Sequence, residues 1–533
     1  MPISTSIRAN LYKDSVALMR IAQVVLAQPG VRQATLMMGT PANKAILAQA
    51  GLQSAQSESA RPGDLMIVVD AETAEQVAAA NAQFAELLEG NRDNTGDAAS
   101  TAQMTPRSIA MALAGADAQG VTLAQISVPG PYAAAEAMKA LRRGLDVFLF
   151  SDNVPLAQEH ALKTLARAKG LLVMGPDCGT AIIHGTPVGF ANVVREGAIS
   201  LVGASGTGLQ EVTCQIHALG HGVRHAIGTG GRDVSAEIGG ITMMQAIDLL
   251  ADDAGTQAIV IVSKPPAPAV ARRILDRARA IDKPFAVLFL GADLSREKLP
   301  QRIVPVATLY DAAAQAVALC GGPAAGGAAQ HDEWLRAADA EARRLAPGQR
   351  FVRALYSGGT FCTEAQLLWR QRGLVVHSNA PLDKAAAQVT GIGGGQHIAL
   401  DLGSDEFTVG RPHPMIDPAP RIARLTDEAR DASTAVIVLD VVLGYASHPD
   451  PAGALAPAIA QAKAACVRDG RHLAVVTFVC GTEEDPQRLS TQQATLREAG
   501  ALVAPSSTAA ALLAGEIAMR AQAGAGMRRV AHG

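Results

Sequence analysis
Two stretches of the sequence repeat one design: Ala198-Ile-Ser-Leu-Val-Gly-Ala-Ser-Gly-Thr-Gly-Leu-Gln-Glu211 and Arg353-Ala-Leu-Tyr-Ser-Gly-Gly-Thr-Phe-Cys-Thr-Glu364. Each reads as a short buried strand, a turn of small residues, and an amphipathic helix. In the first, Leu201 and Val202 end the strand, and Leu209, Val212, Ile216 and Leu219 recur at helical spacing. Thr207 with Gln210 three residues on has the form of a capping box. In the second, Ser357-Gly358-Gly359-Thr360 makes the turn, and Phe361, Leu368 and Trp369 continue the helical face. Hydroxyl groups and bare backbone N–H groups at a helix start suit an anion, because glycine lets it approach and the helix dipole favours negative charge. Ser205, Gly206, Thr207, Ser357, Gly358, Gly359 and Thr360 are therefore expected to bind a phosphate or a small carboxylate. The ordinary alternative is a pair of glycine-rich strand–helix loops with no ligand.

The repeat extends beyond the turns. Ala258–Val262 and Ala435–Leu439 read as equivalent strands, as do Phe285–Leu290 and Leu473–Val479. A helix at 309–319 matches one near 508–520. Two copies of one α/β unit account for this order, and paired copies can bring their strand ends to one site. Ahead of them, apolar runs at 34–38, 64–70, 125–128, 147–150 and 171–174 alternate with helical patterns, predicting a doubly wound domain. The run Asp64-Leu-Met-Ile-Val-Val-Asp70 is apolar throughout its interior, as a parallel strand covered on both faces would be. Four domain spans follow: 1–190, 191–325, a linker over 326–345 introduced by Gly321-Gly-Pro-Ala-Ala-Gly-Gly, and 346–533.

Composition excludes several classes. With 46 Lys and Arg against 49 Asp and Glu and no basic block, the chain does not resemble a nucleic-acid binder. No apolar run approaches a membrane span. Six dispersed cysteines without a Cys-x-x-Cys pair fit reduced thiols in a cytoplasmic protein. No histidine cluster has metal-ligand spacing, so no metal is expected.

Val128-Pro-Gly-Pro-Tyr-Ala-Ala-Ala-Glu-Ala-Met138, Gly175-Pro-Asp-Cys-Gly179 and Gly203-Ala-Ser-Gly-Thr207 stand in the order and spacing of the succinyl-CoA synthetase α subunit. Residues 353–520 resemble the carboxy-terminal CoA-ligase domain of its β subunit. A fused chain of this kind resembles the FdrA family of acyl-CoA synthetase-like proteins. The resemblance implies an α/β fold class: a CoA-binding-type Rossmann domain at about 1–190, then two flavodoxin-like, succinyl-CoA synthetase-like domains with parallel sheets. It places Pro129, Tyr132, Asp177 and Cys178 near a cofactor, CoA or a nucleotide. It also places Ser205–Thr207 and Ser357–Thr360 where the synthetases aim two helix N-termini at a phosphorylated histidine.

The chain departs from that pattern. After the strand Phe285–Leu290 it has Gly291-Ala-Asp-Leu-Ser in place of the histidine loop, Ser263-Lys264 where the synthetases hold a glutamate, and no ATP-grasp half. The family is associated with oxamate carbamoyltransferase in allantoin and purine degradation, acting with partner subunits. The resemblance therefore implies a transferase handling carbamoyl phosphate, phosphate and a small carboxylate. An NDP-forming acyl-CoA synthetase needing a separate ATP-grasp partner, and a non-catalytic CoA- or metabolite-binding subunit, are the alternatives. Lys264 and His377 are the candidate catalytic residues: Lys264 supplies positive charge, and His377 follows an apolar strand into the polar loop that carries Asn379, a further candidate ligand. Arg232-Asp233 and Arg411-Pro-His413 offer guanidinium groups for a carboxylate, with ion pairing as the ordinary alternative.

Overall fold
The computed structural model describes residues 3–11, 15–49, 51–89, 106–115, 119–323, 328–382, 395–408 and 412–530. It divides into two units, one of residues 1–121 with 408–412, the other of 122–407 with 413–533.

In the first unit, strand Leu65–Ala71 lies between Ile3–Arg8 and Val31–Met38, antiparallel to both, with Thr5 and Thr35 flanking Val68. Side chains alternate across a strand. Leu65, Ile67, Val69 and Ala71 pack with Leu18, Val25, Val77, Ala80 and Phe84 from two helices. Met66 and Val68 pack with Leu47, Leu52 and Ala60 on the other face. This strand is thus apolar throughout because helices cover both faces of an antiparallel sheet. The expectation of a parallel strand is corrected, and with it the expectation of one Rossmann domain over 1–190.

Among its described residues the second unit holds three sheets. Leu123–Ile126, Asp146–Leu149 and Val173–Met174 form a small parallel sheet. A seven-stranded sheet runs Ile303–Pro305, Phe285–Phe289, Ala258–Ser263, Ile199–Ala204, Val223–Gly228, then the hairpin Thr180–Ile183 and Thr186–Gly189. Its first five strands are parallel and the hairpin is antiparallel. A six-stranded parallel sheet runs Leu502–Ala504, Ala474–Cys480, Thr434–Val442, Phe351–Tyr356, His397–Asp401, Val376–Ser378. The last two sheets share one order through their first five strands, so the duplication read from the sequence holds as topology. At the matching edge, one sheet adds an antiparallel hairpin and the other an extra parallel strand. The interiors of Ile199–Ala204 and Thr434–Val442 are wholly buried. Burying a Leu or Val fully stabilises by roughly 1.5–3 kcal/mol over leaving it exposed.

The expected linker is largely a helix, Ala328–Arg344. Asp339 on it meets Arg520 on the terminal helix Ser507–Val530, so acidic and basic side chains at helical spacing mark an element there.

The two copies are locked by buried carboxylates at equivalent places. Glu211, six residues past Ser205, accepts the N–H of Ser507 at 2.9 Å. Glu364, six past Gly358, accepts the N–H of Leu309 at 2.8 Å and the hydroxyls of Ser507 at 2.7 Å and Thr508 at 2.9 Å. Each glutamate thus caps a helix start in the other copy, where unsatisfied N–H groups favour negative charge. Asn192 Nδ2 adds bonds to Leu443 O and Asp485 Oδ2, both at 3.0 Å.

Candidate functional site: two helix starts and a lysine
Strand Ile199–Ala204 ends at Ser205, the N-cap of helix Gly206–Ala218. Its Oγ accepts the Gly208 N–H at 3.1 Å. Thr207 lies inside the first turn, so the capping box expected at Thr207 and Gln210 is replaced by a cap two residues earlier. Gly358 caps helix Gly359–Gln371 without a side-chain bond. The two starts meet. Ser205 Oγ and Thr360 Oγ1 are 2.6 Å apart, and a Cβ on Gly358 would lie 2.5 Å from Thr207 Cγ2.

Lys264 follows strand Ala258–Ser263 and is exposed. A Cβ on Gly359 would lie 3.1 Å from Lys264 Nζ and 2.5 Å from Asp401 Oδ2. Among the described residues the Lys264 ammonium makes no hydrogen bond or ion pair. Two helix N-termini and a cation without a direct partner among the described residues therefore converge, with the Asp401 carboxylate the negative group beside them.

Other expected ligands have different work. Ser357 donates its N–H to Asp440 Oδ1 at 2.8 Å and its hydroxyl to Asp440 Oδ2. Asp440 is also held by Arg421 at 3.0 Å, and all three residues are buried. The Ser357 hydroxyl is thus engaged beneath the turn, which corrects its expected role as a phosphate ligand. Asn379 is bonded to the backbone N–H and C=O of Asp401, both at 2.9 Å, and to Ser404 Oγ at 3.0 Å. It orders the Asp401 loop and is not free for a ligand. His377 sits on strand Val376–Ser378, whose next residue Ser378 points at Cys362 of the Gly359 helix, 3.6 Å away. Strand alternation sends His377 to the other face of the sheet, away from the helix starts. The general acid–base role expected of it is corrected. Cys362 is buried, and burial pushes its thiol up to about 12, so it packs as a thiol.

Residues 180, 190, 403 and 413 complete the surroundings. A Cβ on Gly206 would be 3.6 Å from Thr180 Oγ1, and that hydroxyl donates to Phe190 O at 2.8 Å. The Phe190 ring lies 6.2 Å from the His413 ring. A Cβ on Gly403 would be 2.6 Å from His413 Nε2 and 2.4 Å from Ser357 O. Asp401 Oδ1 accepts the Gly403 N–H at 3.1 Å. These contacts run from one helix start to the other through Thr180, Phe190, His413 and Asp401. Nothing in local sequence pattern marks Thr180 or Arg421.

The expected cofactor residues lie at the carboxyl ends of the small sheet, with Cys178 reaching Thr180 beside the first helix start. Pro129 caps helix Gly130–Arg142 and Tyr132 is 46% exposed. Asp177 is exposed, its N–H bonded to Ser151 O at 3.0 Å. A Cβ on Gly130 would strike Asp152 O at 2.3 Å, so these turns pack closely. Cys178 is buried against Thr180 O and Gly228, and burial raises its thiol to about 12. It is not available to a ligand. Arg232 pairs with Glu159 at 2.9 Å, and Asp233 with Lys163 at 2.8 Å, an internal network in place of carboxylate binding. Arg411 lies outside the described residues.

Over 523 residues, 97% of its length, the chain is 42% identical to Uncharacterized protein YahF of Escherichia coli (strain K12), covering 98% of that protein. A CoA-ligase model matches residues 355–517, a CoA binding domain model 194–291, and a model described as AllF, heavy metal-associated domain, 1–106. The chain belongs to the FdrA/AllF-like, acyl-CoA synthetase-like family that includes YahF. Within this family framework, the CoA-binding match falls on the seven-stranded sheet, downstream of the 1–190 span to which the resemblance assigned it. Residues 1–106 contain neither cysteine nor histidine. The thiolate and imidazole ligands that soft metals favour are therefore absent from that segment, and its methionines Met37, Met38 and Met66 are buried. Among the described residues no group of three His, Cys, Asp or Glu side chains could hold a metal ion. Succinate–CoA ligase [ADP-forming] subunit alpha of Aquifex aeolicus (strain VF5) is 29% identical over 154 residues, 27% of this chain. The match covers 48% of that subunit, so the chain spans about half the length of this relative. Dinucleotide forming Acetyl-coenzyme A synthetase 1 of Ca. Korarchaeum cryptofilum aligns over 76% of this chain and 85% of its own at 13% identity, with a TM-score of 0.32. No described helix is long and apolar enough to cross a membrane.

Proposed function
We propose that the chain binds the phosphate of an acyl phosphate between its two helix starts and acts as the transferase subunit of a cytoplasmic hetero-oligomer. The observation that carries this reading is the Lys264 ammonium, without a hydrogen-bond or ion-pair partner among the described residues, beside two abutting helix N-termini. A phosphate would bring its negative charge to the helix N-termini and to Lys264, with Asp401 at the edge of the site. Backbone N–H groups from Gly206, Thr207, Gly359 and Thr360 then hold oxygens in place, and Lys264 stabilises charge as phosphate leaves. The acyl phosphate is carbamoyl phosphate and the acceptor oxamate, as the family resemblance implies. The oxamate nitrogen attacks the carbamoyl carbon, the carbon–oxygen bond to phosphate breaks, and the displaced proton goes to phosphate, giving oxalurate. Positioning supplies much of the acceleration without a covalent intermediate.

A second reading is an NDP-forming acyl-CoA synthetase assembled with an ATP-grasp partner, favoured by the CoA-ligase and CoA-binding matches. Against it, the loop after Phe285–Phe289 carries Gly291-Ala-Asp where the synthetases carry a phosphorylated histidine, and a Cβ on Gly291 would lie 3.0 Å from Leu367. An assay with carbamoyl phosphate and oxamate, with and without partner chains, tests the first reading. Oxalurate formation that falls at least tenfold in Lys264→Ala supports it. Phosphohistidine after incubation with ATP supports the second instead, and neither activity in any assembly leaves a metabolite-binding subunit.

A further inference from the structure
One polar group facing the cluster is left unused by a bound phosphate. His413 Nδ1 accepts the Met415 N–H at 3.3 Å, which leaves the ring proton on Nε2. Burial lowers the pKa of His413 to about 4, so the ring is neutral at physiological pH. Among the described residues Nε2 has no hydrogen-bond partner. Gly403 lies against both the ring and the backbone of Ser357, and only a glycine fits there: a Cβ would sit 2.6 Å from Nε2 and 2.4 Å from Ser357 O. Beside it stand Phe190 and then Phe150, whose ring centroids are 5.6 Å apart. A neutral N–H set in an aromatic wall recognises a neutral acceptor. An alkyl group there would leave the donor unpaired. A carbonyl oxygen satisfies it, and a carbonyl is what distinguishes an acyl phosphate from a simple phosphate ester.

We propose that His413 Nε2 donates a hydrogen bond to the carbonyl oxygen of an acyl phosphate, making this side chain the group that selects acyl phosphates over alkyl phosphates. The inference rests on the phosphate site proposed above. The test titrates the full chain with inorganic phosphate, acetonylphosphonate and propylphosphonate; the last two differ only in the carbonyl. The wild-type chain is expected to bind acetonylphosphonate about tenfold tighter than propylphosphonate, the worth of one well-made hydrogen bond. His413→Asn keeps an acceptor for the Met415 N–H but withdraws the outer donor. It should bring that ratio near one while moving inorganic phosphate affinity less than about twofold. His413→Gln restores a donor at the outer position and should recover part of the ratio. A wild-type ratio near one, or an unchanged ratio in His413→Asn, overturns the assignment and leaves the phosphate site standing. Failure of the wild-type chain to bind inorganic phosphate overturns the phosphate site, and this inference with it.

Discussion

At the residue scale the central asymmetry is between Lys264, which has no partner among the described residues, and Ser357, whose hydroxyl is fully engaged by Asp440. Both belonged to one predicted site. Lys264 was legible because a lone lysine following an apolar strand stands out against a resemblance that puts a carboxylate there. The engagement of Ser357 was not legible, since Asp440 is 83 residues away and its own anchor, Arg421, belongs to a helix. Glu211 gives a second residue-scale consequence. Burial, with Glu364 nearby, raises its pKa from the ordinary 4.5 to about 7. The native state therefore keeps a proton that the unfolded chain gives up above pH 4.5. The stabilising contribution is whole below that pH and is lost as pH rises towards about 7. The difference is on the order of 3 kcal/mol. Denaturant unfolding of the wild-type chain should lose stability over that window, and Glu211→Gln should lose less of it. Parallel pH profiles for the two proteins would refute this.

At the element scale, the strand–turn–helix units were readable because apolar spacing and glycine placement are local properties. The cap position was not, because Ser205 and Thr207 are both good capping residues and backbone direction decides between them. Ser205→Ala removes the bond to Gly208 and leaves Thr360 Oγ1 without its partner. It should cost about 1–2 kcal/mol in chemical denaturation. The antiparallel sheet of residues 3–71 was misread for a related reason: a continuous apolar run reports coverage of both faces, which parallel pairing and two helical layers produce equally well. Likewise the glycine-rich stretch before Ala328 suggested a longer linker than the helix that follows allows.

At the scale of the whole molecule, the duplicated halves interlock through groups far apart in sequence. Asn192 reaches Leu443 and Asp485, while a glutamate from each copy caps a helix of the other. Duplication was visible in the order of strands, yet no periodicity reveals which side chains cross between copies. Asn192→Ala removes the buried bonds to Leu443 O and Asp485 Oδ2, which keep Ser447 Oγ and the Thr482 N–H as partners, and should cost about 1–2 kcal/mol by thermal or denaturant unfolding. An unchanged midpoint would show that the junction is not held there. The functional account depends on this interlock, because it presses two helix starts together beside Lys264. Calorimetric titration of inorganic phosphate into the wild-type chain and Gly359→Ala, at fixed ionic strength, tests that account most directly. The added methyl would press on Asp401 Oδ2 and crowd Lys264 Nζ. The account predicts saturable binding by the wild-type chain and at least tenfold weaker binding by Gly359→Ala; equal affinities, or no binding by the wild-type chain, would contradict it.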